Sequence, residues 1–373
     1  MTNGAGAPLN ARHSRGLMTT RLHLPPLRAI PAIGVAAATM IGVAACGGSS
    51  DSTNNPGAGS SGAAKGSTTL NLVGYSTPKA AYDALTSAFA RTPAGKGVTF
   101  AASFGSSGSQ SRAVDSGQPA DVVAFSTTPD MTRLVKDKIV ASNWNANPEH
   151  GFSSDSVVVF VVRRGNPKHI SSWSDLVRPG ISVITPNPAT SGSARWNVLA
   201  GYGAMLKQGK SPAAALAYLK TLITKHVSDE PASASDALAA FTGGKGDVLL
   251  DYESDAIAAE RAGDKISYVI PKQTLLIQTP IAVTTRSKHA AQAKAFLNYQ
   301  WSRAGQTIWA QQGYRPVDSA VARRFASRFP TPPQLFTIGY LGGWTEVADE
   351  FFAPSRGSIT RLEQEGGFPT ASS

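Results

Sequence analysis

Cysteine is nearly absent from this chain, which has a single one, Cys46, among 373 residues. An intramolecular disulfide is therefore impossible, and no group of cysteines exists that could hold a metal ion. Histidine is also scarce, and the histidines after Cys46 lie in no motif typical of metal binding or general-base catalysis. These absences predict that the protein has no metal site, no cofactor and no catalytic residues.

Acidic residues are few as well, with 24 Asp and Glu against 35 Lys and Arg, which gives a formal net charge of +11. Four of the arginines lie within residues 12–28, and no run of basic residues alternates with aromatic ones. This scattered charge does not indicate a nucleic-acid interface. It predicts a mildly basic surface that attracts anions.

The N-terminal region has the pattern of an export signal. A basic stretch ends at Arg28 and precedes the apolar run "AIPAIGVAAATMIGVAAC", which is short for a membrane helix and contains a proline. The last four residues of this run, "VAAC", resemble the lipobox of bacterial lipoproteins. That resemblance implies a signal peptide over 1–45, a lipid on Cys46 that is the only contact with the membrane, and a position on the outer face of the cytoplasmic membrane. Residues 46–68 are rich in Gly and Ser and are predicted to form a flexible linker.

Short apolar strands alternate with amphipathic helices in the rest of the chain. This alternation predicts an α/β fold with mostly parallel sheets flanked by helices, and the length predicts two lobes with a ligand cleft between them. Strands are predicted at 69–75, 97–104, 119–126, 156–164, 180–186, 246–252 and 279–285. Helices are predicted at 78–91, 191–207, 212–225 and 288–303.

Three of the predicted strand–helix junctions carry polar side chains where such sheets bind ligands, at the carboxyl ends of the strands. The stretches "FGSSGSQ" (104–110) and "PATSGSARW" (188–196) combine Ser and Gly at a helix start and contain no carboxylate. A fully ionised anion such as sulfate only accepts hydrogen bonds, whereas phosphate at neutral pH keeps a proton and benefits from an acceptor. The two stretches therefore favour sulfate. The third junction, "DYESDA" (251–256), leaves this open, because Asp251 or Glu253 could serve a protonated anion.

Serine catalysis and nucleotide hydrolysis fit the same stretches poorly. Neither "GSSGS" nor "TSGSA" has the G-x-S-x-G spacing of a nucleophile elbow, and "GSSGSQSR" lacks the phosphate-loop pattern. Three alternatives to sulfate binding stay open. They are binding of thiosulfate, molybdate or phosphate, a secreted serine hydrolase that uses Ser107 or Ser191, and a binding fold that has lost its ligand and serves as a surface interaction protein.

Several longer stretches carry a family resemblance from about Thr69 to the C-terminus. They are "FGSSGSQSRAVDSGQPADVV", "VVRRGNPKHISSWSDLVRPGISVITPNPATSGSARWN", "GKGDVLLDYESDA", "GYRPVD" and "LFTIGYLGGW". Together they resemble the sulfate- and thiosulfate-binding proteins of ABC importers, in their actinobacterial lipoprotein form. The resemblance implies a monomer with a two-lobed periplasmic-binding-protein type II fold that delivers its anion to a membrane permease. It places 69–153 and about 282–373 in lobe I, and about 154–281 in lobe II.

The resemblance also implies a set of sulfate-binding residues. Ser107 falls on a serine that donates its hydroxyl and backbone N–H, and Ser233 on a residue that donates a backbone N–H. Tyr252 falls on a tryptophan that donates its indole N–H. The helix-start donors of the family fall on Ser191, Gly192 and Ser193.

Four further residues near these motifs are interpreted as structural. Arg195 and Arg315 are predicted to form salt bridges, because the family holds its anion without a direct cation. Trp196 and Trp344 are predicted to pack in the core or between the lobes.

Overall fold

The computed structural model describes residues 67–371. The predicted signal peptide, Cys46 and all but the last two residues of the linker lie outside the described residues. No helix in the described part of the chain is both long and apolar enough to cross a membrane.

Strands and helices alternate along the described chain, as the sequence predicts. The strands are β1 (Thr68–Tyr75), β2 (Val98–Gly105), β3 (Val122–Ala124), β4 (Phe152–Arg163), β5 (Val183–Ile184), β6 (Val227–Asp229), β7 (Val248–Tyr252), β8 (Ile266–Val269), β9 (Gln273–Val283) and β10 (Gln334–Phe336). The helices are α1 (Lys79–Ala90), α2 (Ser107–Asp115), α3 (Thr128–Lys136), α4 (Gly192–Lys207), α5 (Pro212–Lys225), α6 (Ala234–Thr242), α7 (Glu253–Ala262), α8 (Ala290–Trp301), α9 (Arg303–Gln311), α10 (Ser319–Arg324), α11 (Trp344–Phe352) and α12 (Ser358–Gly366).

Two long strands, β4 and β9, connect the two halves of the sheet. The strand order is β2-β1-β3-β9-β4-β7-β5-β6, with β10 beside β9 and β8 beside β4. The end of β9 pairs with β3, its middle pairs with the first half of β4, and the second half of β4 pairs with β7. Every antiparallel pair among the described strands involves β4 or β9. The pairs formed by the other strands with one another are all parallel. The predicted α/β class is confirmed.

Each half of the sheet has its own hydrophobic core, which makes the fold two-lobed. One core packs α1, α8 and α9 against β1 and β2, and Phe89 and Trp309 are fully buried in it. The other packs α4 and α5 against β4 and β7, where the Trp173 ring meets the Phe160 ring edge-on at 4.9 Å.

The C-terminal helices α11 and α12 pack in the second of these cores, through side chains such as Phe351 and Ile359. The sequence places the whole segment 282–373 with the first lobe, so this packing differs from that assignment. The physical reason is that β10 joins the first residues of β9, on the side of the second lobe. The lobe boundaries near residues 153 and 281 stay a prediction.

The ends of two strands differ from prediction in a way that matters for the site. The strand predicted at 180–186 shrinks to β5, because Pro186 and Pro188 have no N–H to donate to a neighbouring strand. The strand predicted at 119–126 ends at Ala124. Residues 125–127 therefore form a loop that leads into α3.

A buried ion pair joins the start of α7 to the segment after α9. The Arg315 guanidinium donates to both carboxylate oxygens of Glu253, over 2.7 and 3.0 Å, and the Glu253 side chain has no exposed surface. The backbone of Arg315 also pairs with that of Asp155 in β4. The predicted salt bridge of Arg315 is confirmed, and it anchors the helix that begins directly after Tyr252.

Replacing Arg315 by methionine is expected to lower the free energy of unfolding by about 3–5 kcal/mol, because it leaves the buried Glu253 carboxylate without its partner. Chemical denaturation measures this change. Lys79→Met serves as the control, since Lys79 pairs with Asp83 on an exposed face of α1, and its loss should cost less than about 0.5 kcal/mol. Equal effects of the two substitutions would contradict the prediction.

Candidate functional site

The two Ser/Gly junctions of the sequence meet at the starts of α2 and α4. The Gly108 N–H donates to the carbonyl of Thr190 over 3.1 Å, which joins the two helix starts. Within residues 67–371, no acceptor receives the backbone N–H of Ser107, Gly192 or Ser193. The first N–H groups of a helix have no partner inside the helix and lie at the positive end of its dipole. Two helix starts therefore present free donors next to each other.

Ser191 is the N-cap of α4 by its backbone, but its side chain does not cap the helix. The residue is extended, with φ −99° and ψ 124°, and its hydroxyl accepts no hydrogen bond from a backbone N–H of the first turn. The Ser191 and Ser193 hydroxyls are instead 2.8 Å apart, and both side chains are buried. The helix-start N–H groups thus stay free where an N-cap serine usually satisfies one of them.

Ser126, in the loop between β3 and α3, connects the remaining parts of the site. Its N–H donates to the Ser107 hydroxyl over 2.9 Å, its hydroxyl lies 2.6 Å from the Tyr252 hydroxyl, and its carbonyl accepts from the Trp196 indole over 2.8 Å. A Cβ at Gly192 would lie 2.7 Å from the Ser126 hydroxyl oxygen. Only glycine therefore permits this approach of the α4 start.

Asp130, in α3, holds the Ser107 hydroxyl. One carboxylate oxygen of Asp130 accepts from the hydroxyl groups of Ser107, over 2.6 Å, and Thr127, over 2.9 Å. The expected donation from the Ser107 hydroxyl to a ligand is therefore not available in this arrangement, and the backbone N–H of Ser107 is its free donor. The shared oxygen already receives two hydrogen bonds, which leaves it little capacity as an acceptor for a protonated ligand.

Tyr252 ends β7 and is fully buried. Burial raises the pKa of its phenol well above the usual value, so the hydroxyl stays protonated at neutral pH. The two acidic residues next to it in the chain, Asp251 and Glu253, form contacts with other groups. Glu253 pairs with Arg315, and one Asp251 carboxylate oxygen accepts from the Tyr252 N–H over 2.9 Å.

Ser233 lies apart from this group in the hydrogen-bond network. It is the N-cap of α6, and its hydroxyl accepts from the Asp236 N–H and donates to the Asp236 carboxylate. The neighbouring Ala232 carbonyl accepts from the Thr190 hydroxyl over 2.7 Å, which brings this loop to the start of α4. A donor role for the Ser233 backbone N–H stays a prediction.

Ser126 and Asp130 are the residues that the sequence analysis missed. The sequence predicts Ser126 at the end of a strand, although it is a small polar residue at the carboxyl end of a parallel strand, like the serines of the other junctions. Ending the strand two residues earlier would have revealed a fourth junction. Asp130 offers no such signal, because only the packing of α3 against α2 brings it to Ser107.

The structure agrees with the predicted packing of Trp196 and Trp344 but not with the predicted salt bridge of Arg195. Trp196 and Trp344 pack edge-on with their ring centres 4.7 Å apart, which confirms their packing role. The predicted salt bridge of Arg195 is wrong. Its Nε donates to the Pro188 carbonyl over 3.0 Å, and its guanidinium lies 5.0 Å from the centre of the Phe352 ring.

Among residues 67–371, no cluster of three or more His, Cys, Asp or Glu side chains is close enough to hold a metal ion. The groups gathered at the site are backbone N–H groups, hydroxyls, an indole that is already bonded and the Asp130 carboxylate, which accepts from two of the hydroxyls. Such a set can bind an acceptor-rich anion by donation alone.

Comparison with known proteins identifies the family. A model of bacterial extracellular solute-binding proteins matches residues 70–315. The chain belongs to this family. It is 37% identical over 327 residues to a sulfate-binding protein of Synechococcus elongatus, which covers 85% of the chain and 91% of that relative. A thiosulfate-binding protein of Escherichia coli is 31% identical over 287 residues, or 74% of the chain and 85% of the relative.

Solved structures agree with this family in fold. The sulfate-binding protein SubI from Mycobacterium tuberculosis H37Rv superimposes with a TM-score of 0.75 at 47% identity, over 77% of the chain and all of that structure. The periplasmic binding protein AfuA from Actinobacillus pleuropneumoniae has a TM-score of 0.57 at 16% identity, over 80% of the chain and 98% of that structure. The predicted two-lobed periplasmic-binding-protein fold is confirmed.

A pair of buried carboxyl groups lies behind Tyr252. Burial raises the pKa of Asp255 to about 7, and it raises that of Asp251, which the charge of Asp255 raises further. The folded protein therefore holds a proton between about pH 4 and pH 7 that the unfolded chain releases. Because the folded state binds more protons in this window, its stability falls as the pH rises from about 4 to about 7.

Replacing Asp255 by asparagine is expected to reduce this loss of stability, because it removes one carboxyl and relieves the other. Urea denaturation midpoints at pH 5 and pH 8 measure it: the drop between the two pH values should be smaller in the variant than in the unmodified protein. Asp83→Asn, on the exposed face of α1, should keep the full drop. The same drop in the Asp255 variant would refute the interpretation.

Proposed function

We propose that this protein is the solute-binding component of an ABC importer and that it binds sulfate with neutral hydrogen-bond donors. The observation that carries the proposal is the pair of helix starts whose N–H groups, at Ser107, Gly192 and Ser193, are buried and have no described acceptor. A buried dianion is costly unless donors surround it, and these groups are such donors. The relatives named sulfate-binding proteins support the same ligand.

The occupied carboxylates favour sulfate over phosphate. Asp130 already receives two hydroxyl donors, and Glu253 pairs with Arg315. A phosphate that keeps a proton would therefore find the Glu253 oxygens and one Asp130 oxygen occupied, and the other Asp130 oxygen lies 3.8 Å from the Arg133 guanidinium. Thiosulfate is the second candidate, because it is also fully ionised at neutral pH and relatives named thiosulfate-binding proteins match most of the chain.

Binding is proposed to close the two lobes on the anion. Ser126 belongs to the loop after β3, whereas Tyr252 and Trp196 belong to β7 and α4, on the other side of β9 and β4 in the sheet. These contacts thus join the lobes at the site. A closed monomer would then be recognised by the permease, and a bend in β4 and β9 would open it for release. Catalysis is not part of this proposal, since the donors act by binding alone.

The position in the cell follows from the family and from the N-terminus. The family is one of extracellular proteins, so the chain is exported. Its "VAAC" stretch and the Gly/Ser-rich residues after it support a lipid anchor on Cys46 with a flexible tether. The protein would then remain at the outer face of the cytoplasmic membrane, near its permease.

Replacing Ser191 by alanine is expected to weaken sulfate binding by about 10-fold to 100-fold, because a buried anion loses a hydroxyl donor. Isothermal titration calorimetry measures the dissociation constant. Ser211→Ala is the matched control, since Ser211 also begins a helix but is exposed and caps it through the Ala214 N–H. That control should bind sulfate as the unmodified protein does.

An unchanged dissociation constant in the Ser191 variant would remove Ser191 from the site. The same calorimeter ranks the candidate anions when sulfate, thiosulfate, molybdate and phosphate are titrated in turn. Binding of phosphate without binding of sulfate would overturn the proposed ligand.

Replacing Cys46 by serine is expected to release the protein from the membrane, because serine has no thiol to receive the lipid. Fractionation of cells that express each protein tests this, with detection by an antibody against the folded domain. The unmodified protein should sediment with membranes and the variant should appear in the soluble exported fraction. Equal sedimentation of both would contradict a lipid anchor on Cys46.

A further inference from the structure

A cavity lies beside the two helix starts and is separate from the proposed sulfate site. It has a volume of about 1110 Å³ and lies between α2, α3, the start of α4 and the C-terminal helices α11 and α12. We call it the arginine groove, after the three residues Arg112, Arg133 and Arg195 in its wall. The groove is not lined by Ser107, Ser126, the residues 191–193 or Tyr252.

The three arginines have far more donors than the protein uses. Within the described residues, each guanidinium makes one hydrogen bond to the protein, to Ser109, to Ser111 and to Pro188 respectively. A guanidinium has five N–H donors, so most of these donors can serve a ligand.

Little negative charge offsets these three cations. Asp130 lies 3.8 Å from Arg133, but its other oxygen already binds two hydroxyl groups. Desolvation lowers the pKa of Arg112 and of Arg195, the charge of Arg133 lowers both further, and the single carboxylate of Asp130 acts in the opposite direction on both. Cations gathered in this way are stabilised when an anion binds among them.

The acidic residues elsewhere in the groove do not supply this anion. Asp349 pairs with Arg356 at the exposed end of the groove. Burial raises the pKa of Glu363 to about 7, so this carboxyl is partly protonated at neutral pH. The described groove therefore keeps a surplus of positive charge next to α2, α3 and α4.

The size and the opposite wall of the groove point to an organic anion. Inorganic oxyanions are far smaller than this cavity, whose volume of about 1110 Å³ slightly exceeds the roughly 300–1,000 Å³ typical of sites for organic ligands. The wall contributed by α11 and the residues after it includes Trp344, Phe352 and Ile359. The Phe352 ring already faces the Arg195 guanidinium, so an apolar or aromatic body would find a surface beside the cations.

We propose that the arginine groove binds an organic anion that has a tetrahedral oxyanion head, such as a sulfate or phosphate monoester, and an apolar body. The head lies among Arg112, Arg133 and Arg195, and the body lies against Phe352 and Trp344. The two sites share no lining residue, so an ester and a sulfate ion can be bound at the same time.

Calorimetric titration with phenyl sulfate and phenyl phosphate tests the proposal, on the exported protein already saturated with sulfate. One equivalent of at least one ester is expected to bind, and phenol, which has no charge, is expected not to bind. The ester that binds more tightly identifies the preferred head group. Ester binding that is lost in full when the first equivalent of sulfate binds would place the ester in the sulfate site and overturn the proposal, as would the absence of binding by both esters.

Two substitutions locate the ester. Arg112→Gln is expected to weaken its binding by about tenfold or more, because it removes charged donors to the head group. Phe352→Ala is expected to weaken it several-fold through the apolar body, and a sulfate titration of each variant verifies that it is folded. Arg303→Gln removes the same charge from the start of α9, away from the groove, and should leave ester binding unchanged. Equal losses in the Arg303 and Arg112 variants would overturn the proposal.

The ester titration can fail or succeed separately from the sulfate titration that tests the proposed function. If the unmodified protein binds no sulfate, the sulfate proposal fails on that titration alone. The ester titration in sulfate-free buffer, on the Ser191→Ala protein and on the Arg112→Gln protein, then tests the groove separately. Loss of ester binding in the Ser191 variant but not in the Arg112 variant would overturn the groove proposal.

Discussion

The approach of the α4 start to Ser126 is the contact on which the rest of the site depends. It requires glycine at 192, because a Cβ there would overlap the Ser126 hydroxyl. Ser126 in turn binds Ser107, Tyr252 and Trp196 through its N–H, hydroxyl and carbonyl. One small residue thereby aligns both helix starts and the phenol. Since two of these bonds cross from one lobe to the other, separation of the lobes would break them and expose the free donors together.

The free donors at this contact have a cost in stability. A buried N–H without an acceptor is unfavourable, and an N-cap side chain would remove part of that cost at α4. Ser191 is in place to do so, yet its hydroxyl lies against Ser193. A bound anion would explain why the N–H groups at the helix starts have no acceptor in the protein, because the anion itself accepts their hydrogen bonds. The unpaired N–H groups lower the stability of the ligand-free protein, and their hydrogen bonds to an anion would add to the free energy of binding.

Sequence patterns predicted the fold class and the two Ser/Gly junctions because both are local signals. Alternating strands and helices define the sheet, and small polar residues after a strand mark its ligand edge. Ser126 was missed through an error of two residues in a strand end, which is the least certain part of such a prediction. Asp130 and the unpaired state of Arg195 depend on how helices pack, which the spacing of residues along the chain does not encode. The packing of α11 and α12 on the second lobe was missed for the same reason.

The acidic residues around Tyr252 carry little free negative charge, although three carboxyl groups lie there. Glu253 is neutralised by Arg315, and burial favours the protonated forms of Asp251 and Asp255. An anion bound beside Tyr252 would repel ionised carboxylates behind the phenol, so it would raise the pKa of that pair further. By linkage, a proton on the pair and an anion in the site then stabilise each other. Residues that never contact the ligand thus contribute to its affinity through their state of protonation.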